Sequence, residues 1–277
     1  MIIELHVLQS FAPSNLNRDD TGAPKSAMFG GVRRARISSQ CLKRAARLLL
    51  PAYGIEIGDR TRILPRKVTE ALAAQGHDPE QAAAVVTVAF SQLGLAVAKE
   101  NRNEYPLFLR SNAAELLTRI CADNYEALLA AVPEEGTGKK KGAKAKKAAS
   151  IAELREVVDA SGAVDIALFG RMIANSKDFN VDAASQVAHA ISTHAVAGEY
   201  DYFTTVDDLQ DDDESGASMI GTVEFNAACY YRYANLDTAQ LARNLGGDAD
   251  LVAPAVRAWL QAFIHAVPTG KQNSMAA

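Results

Sequence analysis

Residues 12–47 read APSNLNRDDTGAPKSAMFGGVRRARISSQCLKRAAR, and the rest of the chain is organised around them. Ala12 to Val32 is dense in Pro, Asn, Asp, Ser and Gly, which favour turns through a fixed φ, positive φ or side-chain bonds to nearby backbone. A long ordered loop is expected there. Loops of this length in compact domains are usually functional or disordered, and the mix of polar and apolar residues favours function. The following SSQCLKRAARLLL has Cys41, Leu42, Ala45, Ala46 and Leu49 at helical spacing, with Lys43, Arg44 and Arg47 opposite and Ser38 or Ser39 as cap. A helix start offers N–H groups and partial positive charge, so it is a ready phosphate site just downstream of Arg33, Arg34 and Arg36. One basic helix face is more often merely solvated; the convergence of cap, RRAR and the Gly30-Gly31 turn favours anion binding.

Before this stretch, Ile2 to Leu8 reads as a β-strand, with Ile3, Leu5 and Val7 on one face and Glu4 and His6 on the other. After it, Asp59 to Val132 is expected to be helical, rich in Ala and Leu at three- and four-residue spacing and without site chemistry. Pro133 to Ser150 is low-complexity and is expected to be a mobile loop. IAELREVVDA reads as a helix and Ala163 to Leu168 as a short buried strand, with a helix to follow. The acidic segment after Ala195, flanked by Tyr200, Tyr202 and Phe203, suggests a projecting hairpin-like excursion. Thr222 to Tyr233 is the clearest strand, and two helices are expected beyond it.

Composition sets the outer limits. The 277 residues are 48% hydrophobic and 22% charged, which excludes disordered, collagenous and disulfide-scaffold chains. Cys41, Cys121 and Cys229 form no CxxC, and no apolar run approaches the roughly 20 residues of a membrane span, so a cytoplasmic protein with no membrane partner is expected. The net charge of -4 hides strong local differences. Residues 1–50 carry eight Lys/Arg against three acids, residues 139–147 hold six lysines and no acid, and residues 199–214 hold eight carboxylates and no base. Lysine runs are usually solvating, yet six uncompensated charges attract a polyanion through counterion release.

Catalytic readings are weak. His189 and His194 are five apart with no HExxH, so they do not form a helical zinc motif. Asp19-Asp20, Asp207-Asp208 and Asp211 to Glu214 are adjacent acids that point to opposite sides of a strand, whereas a metal nuclease needs carboxylates converging from different elements. Walker, GxSxG and GxGxxG motifs are absent. No catalytic residue, metal site or cofactor is assigned.

PSNLNRDDTGAPKSAMFGGVRRARISSQCLKRAAR, DIALFGRM, HAISTH, DYFTTVDDLQ, YYRYANLD and VPTGKQN together look like the CasC family, the repeated backbone subunits of type I-E CRISPR Cascade surveillance complexes within the RAMP superfamily. The similarity runs from Ile3 to the last residues. It implies an α+β fold: a modified RRM-like, ferredoxin-like palm, a helical fingers insertion and a protruding thumb. The expected boundaries are palm at 1–58, 161–195 and 223–277, fingers at 59–160 with a Lys-rich loop at 134–150, and thumb at 196–222. The implied partners are crRNA, target DNA, further copies of the chain along the guide and other Cascade subunits.

The resemblance further implies that Arg18, Lys25, Arg33, Arg34, Lys43, Arg47, Lys271 and the helix start at Ser38, Ser39 and Gln40 grip guide phosphates. Tyr202, Phe203 and Thr204 match the thumb segment that displaces a base, with Met172 as packing partner for the kinked nucleotide. Lys139, Lys140, Lys141, Lys144, Lys146 and Lys147 correspond to a basic finger segment facing target DNA. Family members continue beyond VPTGKQN, so either a fragment or a shortened branch is expected. The rival expectation is a metal-dependent ribonuclease of the type III kind using Asp19 or Asp20; against it, the motifs match the non-cleaving branch.

Overall fold

The computed structural model describes residues 1–133, 153–160, 162–173, 177–204 and 220–275. Strand β1 (Ile2–Ser14) alternates exposed and half-buried positions well past Leu8, with Ile3, Leu5, Val7, Gln9 and Phe11 turned inward. Ala12 to Val32, expected as a loop throughout, instead contributes the end of β1 and a hairpin of β2 (Ser26–Phe29) with β3 (Val32–Ile37). Phe29 pairs with Val32 across Gly30 and Gly31, whose φ values of 63° and 78° are those of a two-residue turn that matches the strand twist. The glycines that mark a loop here also tie a strand pair. Helix α1 (Ser39–Leu49) follows, burying Leu42 and Ala46.

Residues 59–132 form helices interrupted by four short strands. In order these elements are β4 (Asp59–Thr61), α2 (Leu64–Ala74), α3 (Pro79–Gln92), β5 (Val97–Ala98), β6 (Arg102–Asn103), β7 (Leu107–Leu109), α4 (Ala113–Asp123) and α5 (Tyr125–Leu129). The Asp78 carboxylate caps α3 by accepting from the N–H groups of Glu80 and Gln81, and Pro79 occupies the first turn, where no N–H is needed. Val68, Leu72, Val85, Phe90, Leu117 and Leu128 make the core of this part, joined by Leu154 of α6 (Leu154–Val158).

Val164–Phe169 is a helix, α7, and not the strand expected from its sequence. A short apolar run buried on all sides has no period that separates the two states. Asp165 is fully buried there and accepts from the Gly58 N–H at 2.9 Å. Apart from one 3-10 turn at Lys177–Phe179, no helix follows among described residues 177–204: β8 (Ser185–Val187) and β9 (Ala190–Ser192) occupy the segment instead.

β10 (Glu199–Thr204) pairs antiparallel with β11 (Ile220–Asp237), so the excursion after Ala195 has a paired base; residues 205–219 between the strands lie outside the described residues. Helices α8 (Thr238–Asn244), α9 (Ala249–His265) and α10 (Gln272–Met275) follow β11. Among the described residues the 18-residue β11 is the centre of a seven-stranded sheet. β1 pairs along it from Asp237 to Asn226, and β8, β9 and β10 also pair with it, while β9 connects to β3 and β2. Every pairing among the described residues is antiparallel. Alternate residues Asn226, Ala228, Tyr230, Arg232, Ala234 and Leu236 of β11 are buried.

The chain divides into two compact units, a sheet unit of residues 1–54, 185–238 and 254–277 and a helical unit of residues 55–184 and 239–253. The cut after Ala184 falls later than residue 160, where the fingers were expected to end. In the sheet unit, Leu16, Ala35, Ile37, Leu42, Ala190, Ala228 and Tyr230 form one core, with Phe11 edge-on to Tyr230. Among the described residues no helix is long and apolar enough to cross a membrane.

Candidate nucleic-acid interface

Three side chains stiffen the segment between β1 and β2. Asn15, fully buried, donates from Nδ2 to the Gly22 and Glu224 carbonyls at 3.0 and 2.9 Å. Asn17 accepts the Ser38 N–H at 2.8 Å, and its own carbonyl accepts from the Lys25 N–H, tying this segment to the start of α1. Asp19 Oδ1 accepts from Thr21 N, Thr21 Oγ1 and Ala23 N at 2.9, 2.7 and 3.1 Å. The Thr21 hydroxyl foremost, then these backbone N–H groups, hold its carboxyl below the ordinary 3.8. Asx chemistry of this kind substitutes side-chain bonds for a regular ladder. Arg18 and Lys25 therefore project from a pre-ordered scaffold.

Lys271 joins that scaffold from the far end of the sequence. Gly270 runs so close to the loop that an added Cβ would sit 2.3 Å from the Leu16 carbonyl oxygen and 2.6 Å from that of Asn15. Only a residue without Cβ permits that approach. Lys271 itself has φ 52°, an uncommon left-handed backbone for a side chain-bearing residue. A cavity of about 340 Å³ is lined by Arg18, Thr21, Tyr200, Glu224 and Lys271.

At α1, Ser38 is the N-cap, its hydroxyl accepting from Cys41 N at 3.3 Å. The Ser39 N–H donates to His189 Nδ1 at 3.2 Å. Of the three leading N–H groups, only that of Gln40 lacks an intramolecular acceptor among the described residues. The helix start is thus less open than its sequence implies, though its dipole remains. Ser39, Lys43 and Arg47 follow one another at four-residue spacing and are half-buried, whereas Arg44 is exposed.

The RRAR cations separate into different roles. Arg34 donates from Nε to the Phe29 carbonyl at 3.0 Å and from Nη1 to the Ser192 carbonyl at 2.9 Å, and it lies 5.8 Å from the Phe29 ring centroid. Arg36 donates to the Ser26 carbonyl at 3.3 Å and stands 3.5 Å from His189 Nδ1. Both hold the hairpin to the sheet. Arg33 is exposed, and its guanidinium has no partner among the described residues. Sequence reasoning missed His189, whose ring meets both Ser39 and Arg36; nothing local signals a contact across that separation.

Tyr202, Phe203 and Thr204 do not act as one surface. They pair with Thr222, Gly221 and Ile220, so alternation sends Tyr202 and Thr204 to one side and Phe203 to the other. Phe203 covers Gly221, where an added Cβ would meet its ring at 2.3 Å. Met172, 84% exposed, belongs to the helical unit and not to the sheet unit that carries the cations. Its neighbour Arg171 is buried and donates to the carbonyls of Phe108, Val158 and Phe179, a structural role, and burial lowers its pKa. Lys139 to Lys147 lie outside the described residues. Among the described residues no group of His, Cys, Asp and Glu is arranged to hold a metal.

Three kinds of comparison bear on this arrangement. The sequence profile of the family described as CT1975-like protein matches residues 3–277. A solved chain from a "CRISPR RNA-guided surveillance complex, pre-nicking" is similar at 31% identity with a TM-score of 0.88, over 100% of this chain and 75% of that one. A second, from a "CRISPR RNA-guided surveillance complex", is similar at 27% identity with a TM-score of 0.74, over 98% of this chain and 73% of that one. No curated protein matches. The profile spans nearly the whole chain and the mixed, antiparallel fold superposes over its full length, so this chain belongs to the CT1975-like protein family.

Proposed function

We propose that the chain is a crRNA-binding backbone subunit of a CRISPR Cascade-type surveillance complex, of type I-E, in which copies polymerise along one guide beside other Cascade subunits. The observation that carries this reading is the pair Arg18 and Lys271 lining one cavity of the sheet unit, with the Lys25 backbone tied to Asn17 in the same loop, in a chain whose fold matches subunits of RNA-guided complexes. The sheet unit would act as an RRM-like palm, the helical unit as fingers and the 196–222 excursion as a thumb. Binding would proceed through phosphates, with no catalytic step. A guide carrier must accept every spacer, so it reads backbone and leaves base edges free for pairing with target DNA.

In this reading the thumb of one copy reaches the guide held by the next, and Tyr202 or Thr204 displaces a base; aromatic stacking supplies about 1–3 kcal/mol per base whatever its identity. The lysines of 139–147 would face target DNA through counterion release. The eight carboxylates of 199–214 would face a neighbouring copy and not the guide, since phosphate repels them. The reading is tested by light scattering of the purified assembly before and after ribonuclease. Digestion is expected to reduce it to single subunits that reassemble only when RNA is returned. A particle that survives complete digestion and re-forms without RNA would make the chain a protein-only oligomer.

A further inference from the structure

The cavity beside Arg18 contains a feature that phosphate binding does not use. Glu224 is part of its lining; the carboxylate lies over Gly198, where an added Cβ would meet Oε1 at 2.3 Å, and among the described residues it makes no hydrogen bond or ion pair. Tyr200 stands directly opposite Glu224 in the β10–β11 ladder, so the two side chains leave the hairpin on the same face as near neighbours. Tyr200 is 69% exposed. Arg18 and Lys271 complete the lining, and the Asn15 bonds to Gly22 and Glu224, with the tight passage of Gly270, fix the walls relative to one another. Two cations, one acceptor-only anion and one aromatic face therefore converge on a space of about 340 Å³, too small for a folded partner.

A carboxylate is misplaced in a site meant only for phosphate, because it repels the ligand. It is well placed to accept a hydrogen bond from a sugar hydroxyl. We infer that this cavity is a ribonucleotide subsite in which Glu224 accepts from the ribose 2′-hydroxyl, Arg18 and Lys271 hold the flanking phosphates, and Tyr200 stacks on the base. The inference rests on the RNA-binding reading above and adds to it a means of choosing RNA over DNA. Deoxyribose offers no donor at that position, so DNA would leave the carboxylate desolvated, unpaired and close to its phosphates. The preference lies in the sugar, so it leaves base sequence unread.

The test compares binding of the full chain to labelled single strands of one sequence, as RNA, as 2′-deoxy (with uracil retained) and as 2′-O-methyl RNA, by fluorescence anisotropy at low salt. Wild type is expected to favour RNA over both analogues by about tenfold, the scale of one hydrogen bond to a charged group. Glu224→Ala is expected to bring the RNA to 2′-deoxy ratio close to one, partly by tightening the deoxy strand. Glu224→Gln, which keeps an acceptor, should retain part of the preference. Tyr200→Ala should weaken RNA about tenfold but leave an abasic RNA strand unaffected. A wild-type preference that Glu224→Ala leaves intact would overturn the subsite while leaving RNA binding standing. Wild type that ignores all three strands would overturn both.

Discussion

Arg33→Ala combined with Lys271→Ala is expected to weaken guide RNA binding about 10- to 100-fold near physiological salt, equally for unrelated spacer sequences. These two cations are chosen because their ammonium or guanidinium groups have no protein partner among the described residues, so their loss removes ligand contacts and little else. Each neutralised phosphate on a single strand contributes about 0.7 to the slope of log affinity against log salt, so the double variant should flatten that slope by roughly 1.4. A binding titration at several salt concentrations measures both quantities. Arg34→Ala is the contrasting change. It strips donors from the Phe29 and Ser192 carbonyls, so its first effect is on the β2–β3 hairpin. A loss in the Arg33/Lys271 variant that depends on spacer sequence would mean that bases are being read.

Arg232→Ala is expected to destabilise the sheet unit by about 3–5 kcal/mol, through a cavity and two acceptors left unpaired. Arg232 is fully buried in the middle of β11, without an acidic partner among the described residues. One guanidinium nitrogen donates to the Gln9 side-chain oxygen on β1 and another to the Phe263 carbonyl at 2.6 Å, while the group lies 5.0 Å from the Phe263 ring centroid. Phe263 stands in the last turn of α9, where carbonyls lack helical donors, so Arg232 acts as a cap delivered from the sheet. Burial lowers its pKa, yet a guanidinium stays charged at neutral pH. Arg232→Met keeps most of the volume and removes the buried charge, and should cost roughly half as much. Urea unfolding reads the difference as a shift in midpoint at nearly constant slope. An unchanged midpoint for Arg232→Ala would mean that the sheet and α9 are held together elsewhere.

What could be read from the sequence was local. A serine cap at Ser38 or Ser39 is legible from residues three apart, and the Cys41 N–H settles it on Ser38. The inward set Ile3, Leu5 and Val7 follows from alternation, which needs no knowledge of β11. What failed depended on distant partners or on burial from all sides. The apolar run of α7 looks alike as strand or helix, and Ala183–Thr193 forms strands because β11 and β3 are there to pair with it. Arg33, Arg34 and Arg36 are equivalent as letters; the Ser192 carbonyl and His189 separate them in space. Glu224 counted only as a strand residue until its register opposite Tyr200 put both on one cavity wall.

The proposed function requires that the cations of the sheet unit hold a ribose-phosphate strand. The most direct measurement is the nucleic acid carried by the full chain purified at low ionic strength from cells expressing a guide transcript, read as ultraviolet absorbance and by sequencing of the extracted strand. Guide RNA should co-purify with wild type, and the Arg33→Ala/Lys271→Ala variant should lose most of it while remaining folded. Wild-type protein that emerges free of RNA, and takes up none when guide is added back, would contradict the account.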